Sequence, residues 1–368
     1  MNKAIKEITV FRRQIPLVSP YVLSFTTVKE IVTFVTVVKL EDDSEGIGES
    51  VPLPGYSEDT EQSILSTLGN ALELADLHDT SSFLEKCRAL PDSSAFAISS
   101  LSTAVEHAIE MIDRPRKLKI PLLAPLSSTI NKRQLLENSR NLREAGFTVL
   151  KLKVGTDIFK DMESVECILS NVVDDSFKLR IDANQGYSFA EASQLFALVS
   201  ESRNLQHIEC VEQPLSIDNW TEHALLMKLF PNVPLMLDES IFNSKDIERA
   251  AEIGAKLVKL KLFKHAGLTE VKKLADYAST LDLEVVIGNG VSTDIGNLFE
   301  AFAYTRSKFL GASEGNGFCK IEAKCLENPP ELQHGFLVWE SKECSCNPIQ
   351  LSTEFFANAS KVLSYSRQ

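Results

Sequence analysis

The chain has 368 residues, 44% of them hydrophobic and 24% charged, with a formal net charge of −13 at pH 7. This is the composition of a soluble globular protein with chain enough for more than one domain, and its acidic balance excludes the broad basic face that nucleic acid requires. No apolar run approaches the roughly 20 residues of a membrane span, and the N-terminal MNKAIKEITVFRRQI lacks the apolar core of a secretory signal, so a cytoplasmic protein without a membrane partner is expected.

The first 42 residues alternate apolar and polar in ITVFRRQIPL and IVTFVTVVKLEDD, which predicts antiparallel strands. EDDSEGIGES is a turn. Helical stretches follow in SEDTEQSILSTLGNALELADL, with Ser57 or Asp59 as the expected cap, then in SSFLEKCRAL and SAFAISSLSTAVEHAIEMI. Residues 1–118 therefore read as an α+β domain. From Pro121, short Val/Ile/Leu runs alternate with helices, the signature of parallel βα units. A barrel over 119–320 follows, and 321–368 is expected to return to the first domain. Seven cysteines, an odd count without a disulfide framework, read as reduced thiols. Cys344 and Cys346, with His334 nearby, lack the further soft ligands of a structural metal site.

Three acids each follow a short apolar run and precede a polar turn: Asp182 in KLRIDAN, Glu212 in CVEQP and Asp238 in LMLDES. The intervals, 30 residues (182 to 212) and 26 (212 to 238), match one strand, one helix and their loops in a β/α barrel. Lys153 in VLKLKVG lies 29 residues before Asp182, and Lys261 in KLVKLKLFK lies 23 after Asp238. Five successive strands would thus deliver Lys, Asp, Glu, Asp and Lys to one mouth. Converging carboxylates repel unless a hard cation neutralises them, and oxygen ligands favour Mg²⁺ or Mn²⁺. Asn184 and Gln213 are candidates to orient the ligands. Glu239 alternates away from Asp238 unless the strand has already ended, and is left out of the ligand set. Alternation puts Lys151 and Lys153 on one face, where crowding and burial are expected to lower a lysine pKa towards that of a general base. Lys259 and Lys261 also share a face, and the period alone does not choose between them.

The ordered run KLKVG, RIDAN, VEQP, LDES and KLFKHAG resembles the enolase superfamily, within it the muconate-lactonising subgroup, from about Gly48 to Gly317. That resemblance implies a modified (β/α)7β TIM barrel under an N-terminal α+β capping domain. It implies Asp182, Glu212 and Asp238 as metal ligands, Lys153 and Lys261 as the acid/base pair, and Lys151 as a supporting charge. In such proteins two loops of the capping domain close over substrate, which nominates Phe25 and Tyr56. The strand-seven end, Gly288-Asn289-Gly290, and the strand-eight end, with Ser313, Glu314 and Asn316, are further substrate-binding candidates. Dipeptide epimerases of the subgroup carry Asp-x-Asp at the latter place to grip an ammonium group, and Glu314-Gly315-Asn316 carries one charge fewer.

The activity so implied is metal-dependent removal of a proton α to a carboxylate through an enolate. Two lysines point to racemisation or epimerisation of an amino-acid derivative or dipeptide. A muconate-type cycloisomerase and an o-succinylbenzoate-synthase-like dehydratase are the alternatives, and a catalytically silent ligand-binding barrel is the other class. The expected partner is a small carboxylate, with a homo-oligomer left open.

Overall fold

The computed structural model describes residues 3–22, 27–52, 59–75, 79–109, 115–172, 174–341 and 349–367. Strand β1 (Ile5–Val22) pairs antiparallel with β2 (Thr27–Leu40), which pairs with β3 (Glu45–Ser50). Helices α1 (Glu61–Leu72), α2 (Thr80–Arg88) and α3 (Ala95–Ile109) cover one face of this sheet. Alternation along β2 sends Phe34, Val38 and Leu40 into a core shared with Ile64, Leu68, Leu101 and Val105 of the helices. The opposite face sends Ile31 and Val35 into the core of the barrel, so the sheet is buried on both sides. The cap of α1 is Thr60, which forms a reciprocal capping box with Ser63. This corrects the expectation of Ser57 or Asp59: the cap is the residue after Asp59, and Ser57 lies outside the described residues.

The β/α barrel comprises β5 (Leu123–Ser127), α4 (Lys132–Glu144), β6 (Val149–Lys153), α5 (Ile158–Asn171), β7 (Lys178–Asp182), α6 (Phe189–Glu201) and β8 (Ile208–Glu212). It continues through α7 (Trp220–Leu229), β9 (Leu235–Leu237), α8 (Ser244–Glu252), β10 (Leu257–Lys261), α9 (Leu268–Thr280), β11 (Glu284–Gly288) and α10 (Asp294–Arg306). Strands β5 to β11 form one parallel sheet in sequential order. The segment 309–313 closes it. Leu310 N–H donates to Val285 O (2.8 Å) on one side, and Leu123 N–H donates to Ser313 O (3.0 Å) on the other. This is the expected (β/α)7β barrel with an N-terminal α+β domain.

Ahead of the barrel, β4 (Lys117–Pro121) pairs with β13 (Phe336–Glu340), which also pairs with β12 (Glu331–Gln333). After α11 (Thr353–Asn358), β14 (Ser360–Ser366) pairs antiparallel with β1. No helix among the described residues is long and apolar enough to cross a membrane.

Candidate active site

Parallel pairing sets the site. In register, Lys153 stands beside Asp182 and Asp182 beside Glu212, each the last residue of its strand. One layer below, Lys151 stands beside Arg180. Asp182 Oδ2 accepts from Lys151 Nζ (2.6 Å) and Lys153 Nζ (2.6 Å). Glu212 Oε1 accepts from Lys151 (3.1 Å) and from Lys259. Asp238 Oδ2 lies 2.8 Å from Lys261 Nζ and 3.5 Å from Lys259 Nζ. The structure thus gathers all three acids and all four lysines of β6 and β10 into one cluster. Lys153 faces the opening, its side chain 38% exposed, whereas that of Lys261 is only 5% exposed.

The chain ends that carry these groups are tightly held. Asn184 and Gln213 adopt left-handed backbone (φ 42° and 37°), a conformation non-glycine residues take at some energetic cost. Gln213 Oε1 accepts from the N–H groups of Asp238 (3.0 Å) and Ser240 (3.3 Å), so its amide fixes the residue after β9. Asn184 Oδ1 accepts from Lys153 Nζ (2.6 Å), and its amide donates to Glu239 Oε1 (3.0 Å). Glu239 therefore faces the cluster. Strand β9 ends at Leu237, so the alternation expected to turn Glu239 away no longer applies.

Three residues took roles that period and spacing did not reveal. Lys259 is completely buried and also donates to Glu314 Oε1 (2.7 Å). Arg180, likewise fully buried, pairs with Glu209 (2.8 Å) and Glu314 (3.1 Å). Lys264, in the loop after β10, donates to the carbonyls of Asp238 (3.1 Å) and Glu239 (3.0 Å) and lies 4.0 Å from the centroid of the Phe242 ring. Burial pushes its pKa down to about 8. The alternating apolar run around each strand-borne cation marked an interior face, but not which layer of the barrel it fills.

Glu314 turns inward. Its Oε1 accepts from Lys151 (2.7 Å), Lys259 and Arg180, and Oε2 lies 3.5 Å from the Asn289 N–H. Ser313 Oγ accepts from the Gly315 N–H (3.2 Å), and the Asn316 N–H donates to Glu314 O (2.7 Å). Asn289 Oδ1 accepts from Ser292 Oγ (3.0 Å). Gly288 makes room for lysines: a Cβ there would lie 2.4 Å from Lys259 Cδ and 3.2 Å from Lys261 Cε. Phe25, Tyr56, Cys344 and Cys346 lie outside the described residues.

The electrostatics correct one expectation. Burial alone would push the Lys151 ammonium down, but Asp182, Glu212 and Glu314 more than offset it, so its pKa lies well above the ordinary value. Acids, not other cations, are its nearest neighbours. Burial would raise Asp182, yet Lys151, Lys153 and Lys259 hold it well below the usual carboxylate range. Glu212 is pushed up to about 7 by burial and by the charge of Asp182.

The donor set suits a hard cation. Glu212 Oε2 and Asp238 Oδ1 are buried with no hydrogen-bond partner, and an orphaned carboxylate oxygen in a closed site is what a divalent ion would satisfy. As placed, no three acidic, histidine or cysteine side chains among the described residues are close enough to ligate one ion, because ammonium groups stand between the acids.

Relatives share this frame. An L-amino acid-D/L-Glu epimerase of Francisella philomiragia is 30% identical over 172 residues, 46% of this chain and 47% of that protein. An N-succinyl-L-Arg/Lys racemase of Bacillus cereus is 24% identical over 80% of this chain and 82% of its own. The crystal structure of a muconate lactonizing enzyme from Pseudomonas fluorescens, complexed with muconolactone, superposes with a TM-score of 0.81 at 22% identity, covering 98% of this chain and all of that one. Residues 134–342 match the family described as Enolase C-terminal domain-like, more than half of the chain, and the protein belongs to that family.

Proposed function

We propose that this protein is a Mg²⁺-dependent isomerase that removes a proton α to a carboxylate and returns one to the opposite face, racemising or epimerising an amino-acid derivative. The observation that carries the reading is the pairing of a lysine with an acid at each side of the cluster: Lys153 with Asp182, and Lys261 with Asp238. Asp182, Glu212 and Asp238 would hold the ion. When bound, it supplies positive charge against the second negative charge that develops on a substrate carboxylate.

The chain's own residues do the rest. One lysine, in its neutral form, takes the α-proton onto Nζ, and the C–H electron pair passes into the carboxylate to give an enolate. The other lysine, as an ammonium, delivers a proton to the opposite face of the same carbon. Lys151 and Lys259 supply fixed positive charge beneath the site. Glu314 commits Oε1 to three cations, and Glu314-Gly315-Asn316 carries one charge fewer than Asp-x-Asp, which favours an acylated amino acid over a free dipeptide. The muconate lactonizing fold neighbour supports cycloisomerisation as the second reading, in which one lysine serves only as a cation.

The test is exchange of the α-proton with solvent deuterium across N-acylamino acids, dipeptides and unsaturated diacids, with Mg²⁺. Exchange at the α-carbon of both hands of one acylated amino acid is expected. Failure of every class to exchange overturns the reading.

A further inference from the structure

The two lysines stand on turns that differ in what holds them. The turn after Lys153 is secured within the barrel. Buried Asp161 accepts from the N–H groups of Gly155 (2.9 Å), Thr156 (3.3 Å) and Asp157 (3.4 Å), from Tyr187 OH (2.7 Å) and from Ser128 Oγ.

The turn after Lys261 is held within the barrel too, where Lys264 donates to Asp238 O and Glu239 O and the His265 ring lies 2.8 Å from Lys261 O, and it is further secured from the capping domain. Ser99 Oγ on α3 donates to Leu262 O (2.6 Å), and the Phe96 ring packs on Phe263 with centroids 4.5 Å apart. Glu106, also on α3 and 3% exposed, accepts at Oε2 from the N–H groups of Leu268 (2.7 Å) and Thr269 (3.2 Å). Helix α9 has Gly267 at its N-cap and no cap from its own side chains, so a carboxylate from another domain supplies what the helix lacks. Arg88 on α2 donates to Ala266 O (3.4 Å) and lies 3.6 Å from Glu106 Oε1. The approach is close: a Cβ on Gly267, at φ 105°, would lie 2.8 Å from Ser102 Cβ and 3.0 Å from Glu106 Oε2.

We propose that Glu106, with Ser99 and Arg88, forms a positioning set for Lys261 alone, through which the capping domain controls one of the two proton transfers and not the other. The inference rests on the two-lysine reading above. An acid–base group misplaced by a fraction of its working distance loses rate steeply, and here the misplacement is confined to one face of the substrate carbon.

The experiment measures deuterium exchange separately from each enantiomer of an N-acylamino acid with Mg²⁺ present. Lys153→Ala and Lys261→Ala assign each hand to its lysine. Glu106→Gln lowers exchange from the Lys261 hand by about tenfold or more and leaves the other hand within about twofold of the unsubstituted protein. Ser99→Ala removes one hydroxyl and shifts the same hand in the same direction, which keeps the test alive if the first variant does not fold. Asp161→Asn gives the mirror result, a loss confined to the Lys153 hand. Equal slowing of both hands by Ser99→Ala, or by folded Glu106→Gln, overturns the inference while the two-lysine reading stands. Wild-type exchange of both hands in Lys153→Ala and in Lys261→Ala overturns that reading and the inference with it.

Discussion

Lys259 and Glu212 form an ion pair that neither shares with solvent: both side chains are completely buried, and Glu212 also accepts from Lys151. Two charges enclosed in this way depend on each other, because removing one leaves the other desolvated without compensation. Lys259→Met should therefore destabilise the fold by about 2–4 kcal/mol, at the lower end because Lys151 remains. Urea unfolding at neutral pH measures this. Unchanged stability would mean that Lys151 alone neutralises Glu212.

The metal reading makes its own demand. Asp182→Asn, Glu212→Gln and Asp238→Asn should each weaken Mg²⁺ binding, read by calorimetry without substrate, and each should abolish turnover with the fold retained. Gln213→Ala should weaken it roughly 10–100-fold, since Gln213 orients the Asp238 backbone without being a ligand itself. Full activity after exhaustive chelation, checked by elemental analysis, would remove the metal from the mechanism.

Glu49, on β3, reaches the N-terminus of α10. It accepts from Thr33 Oγ1 (2.8 Å), Thr293 Oγ1 (2.6 Å) and the N–H groups of Thr293 (3.1 Å) and Gly296 (2.9 Å). Burial outweighs these donors and pushes its pKa up to about 7 from an ordinary 4.5. Between those values the folded protein binds a proton that the unfolded chain has released. Its contribution to stability is thus fully present below 4.5 and lost as pH rises through 7. The slope is at most about 1.4 kcal/mol per pH unit. Denaturant unfolding across that window should show a shallower fall with pH in Glu49→Gln than in the unsubstituted protein. Identical slopes would place the titration elsewhere.

Gly48 tests the packing of the capping domain. A Cβ there would lie 1.9 Å from Ser100 O of α3, and one on Gly46 would lie 2.0 Å from Ala104 O. Gly48→Ala should push the helix from the sheet and destabilise by about 1–3 kcal/mol or more. A midpoint of unfolding unchanged in urea would show that α3 moves aside freely.

The barrel was legible because its strands are short apolar runs, each ending in a polar turn at one-unit spacing. Asp182, Glu212 and Asp238 declared themselves by that position. Lys259 and Arg180 did not, because alternation assigns a side chain to the interior but leaves open whether it meets substrate or the layer beneath. The direction of Glu239 turned on where the strand stops, which alternation alone left open, and the strand ends at Leu237. The carboxylates that join the two domains, Glu49 and Glu106, carry no local signal: what each caps lies 244 and 162 residues away along the chain.

The pairing of β14 with β1 has a consequence for biosynthesis. Glu7 stands opposite Ser366 and Arg12 opposite Ser360, so one edge of β1 is covered by a strand that the ribosome makes long after it. Until then the edge of β1 presents unpaired N–H and C=O groups that can template pairing with another chain. A nascent chain stalled before Ser360 would carry a finished barrel beneath an unfinished sheet. Such a chain exposes a strand edge open to pairing with its own copies.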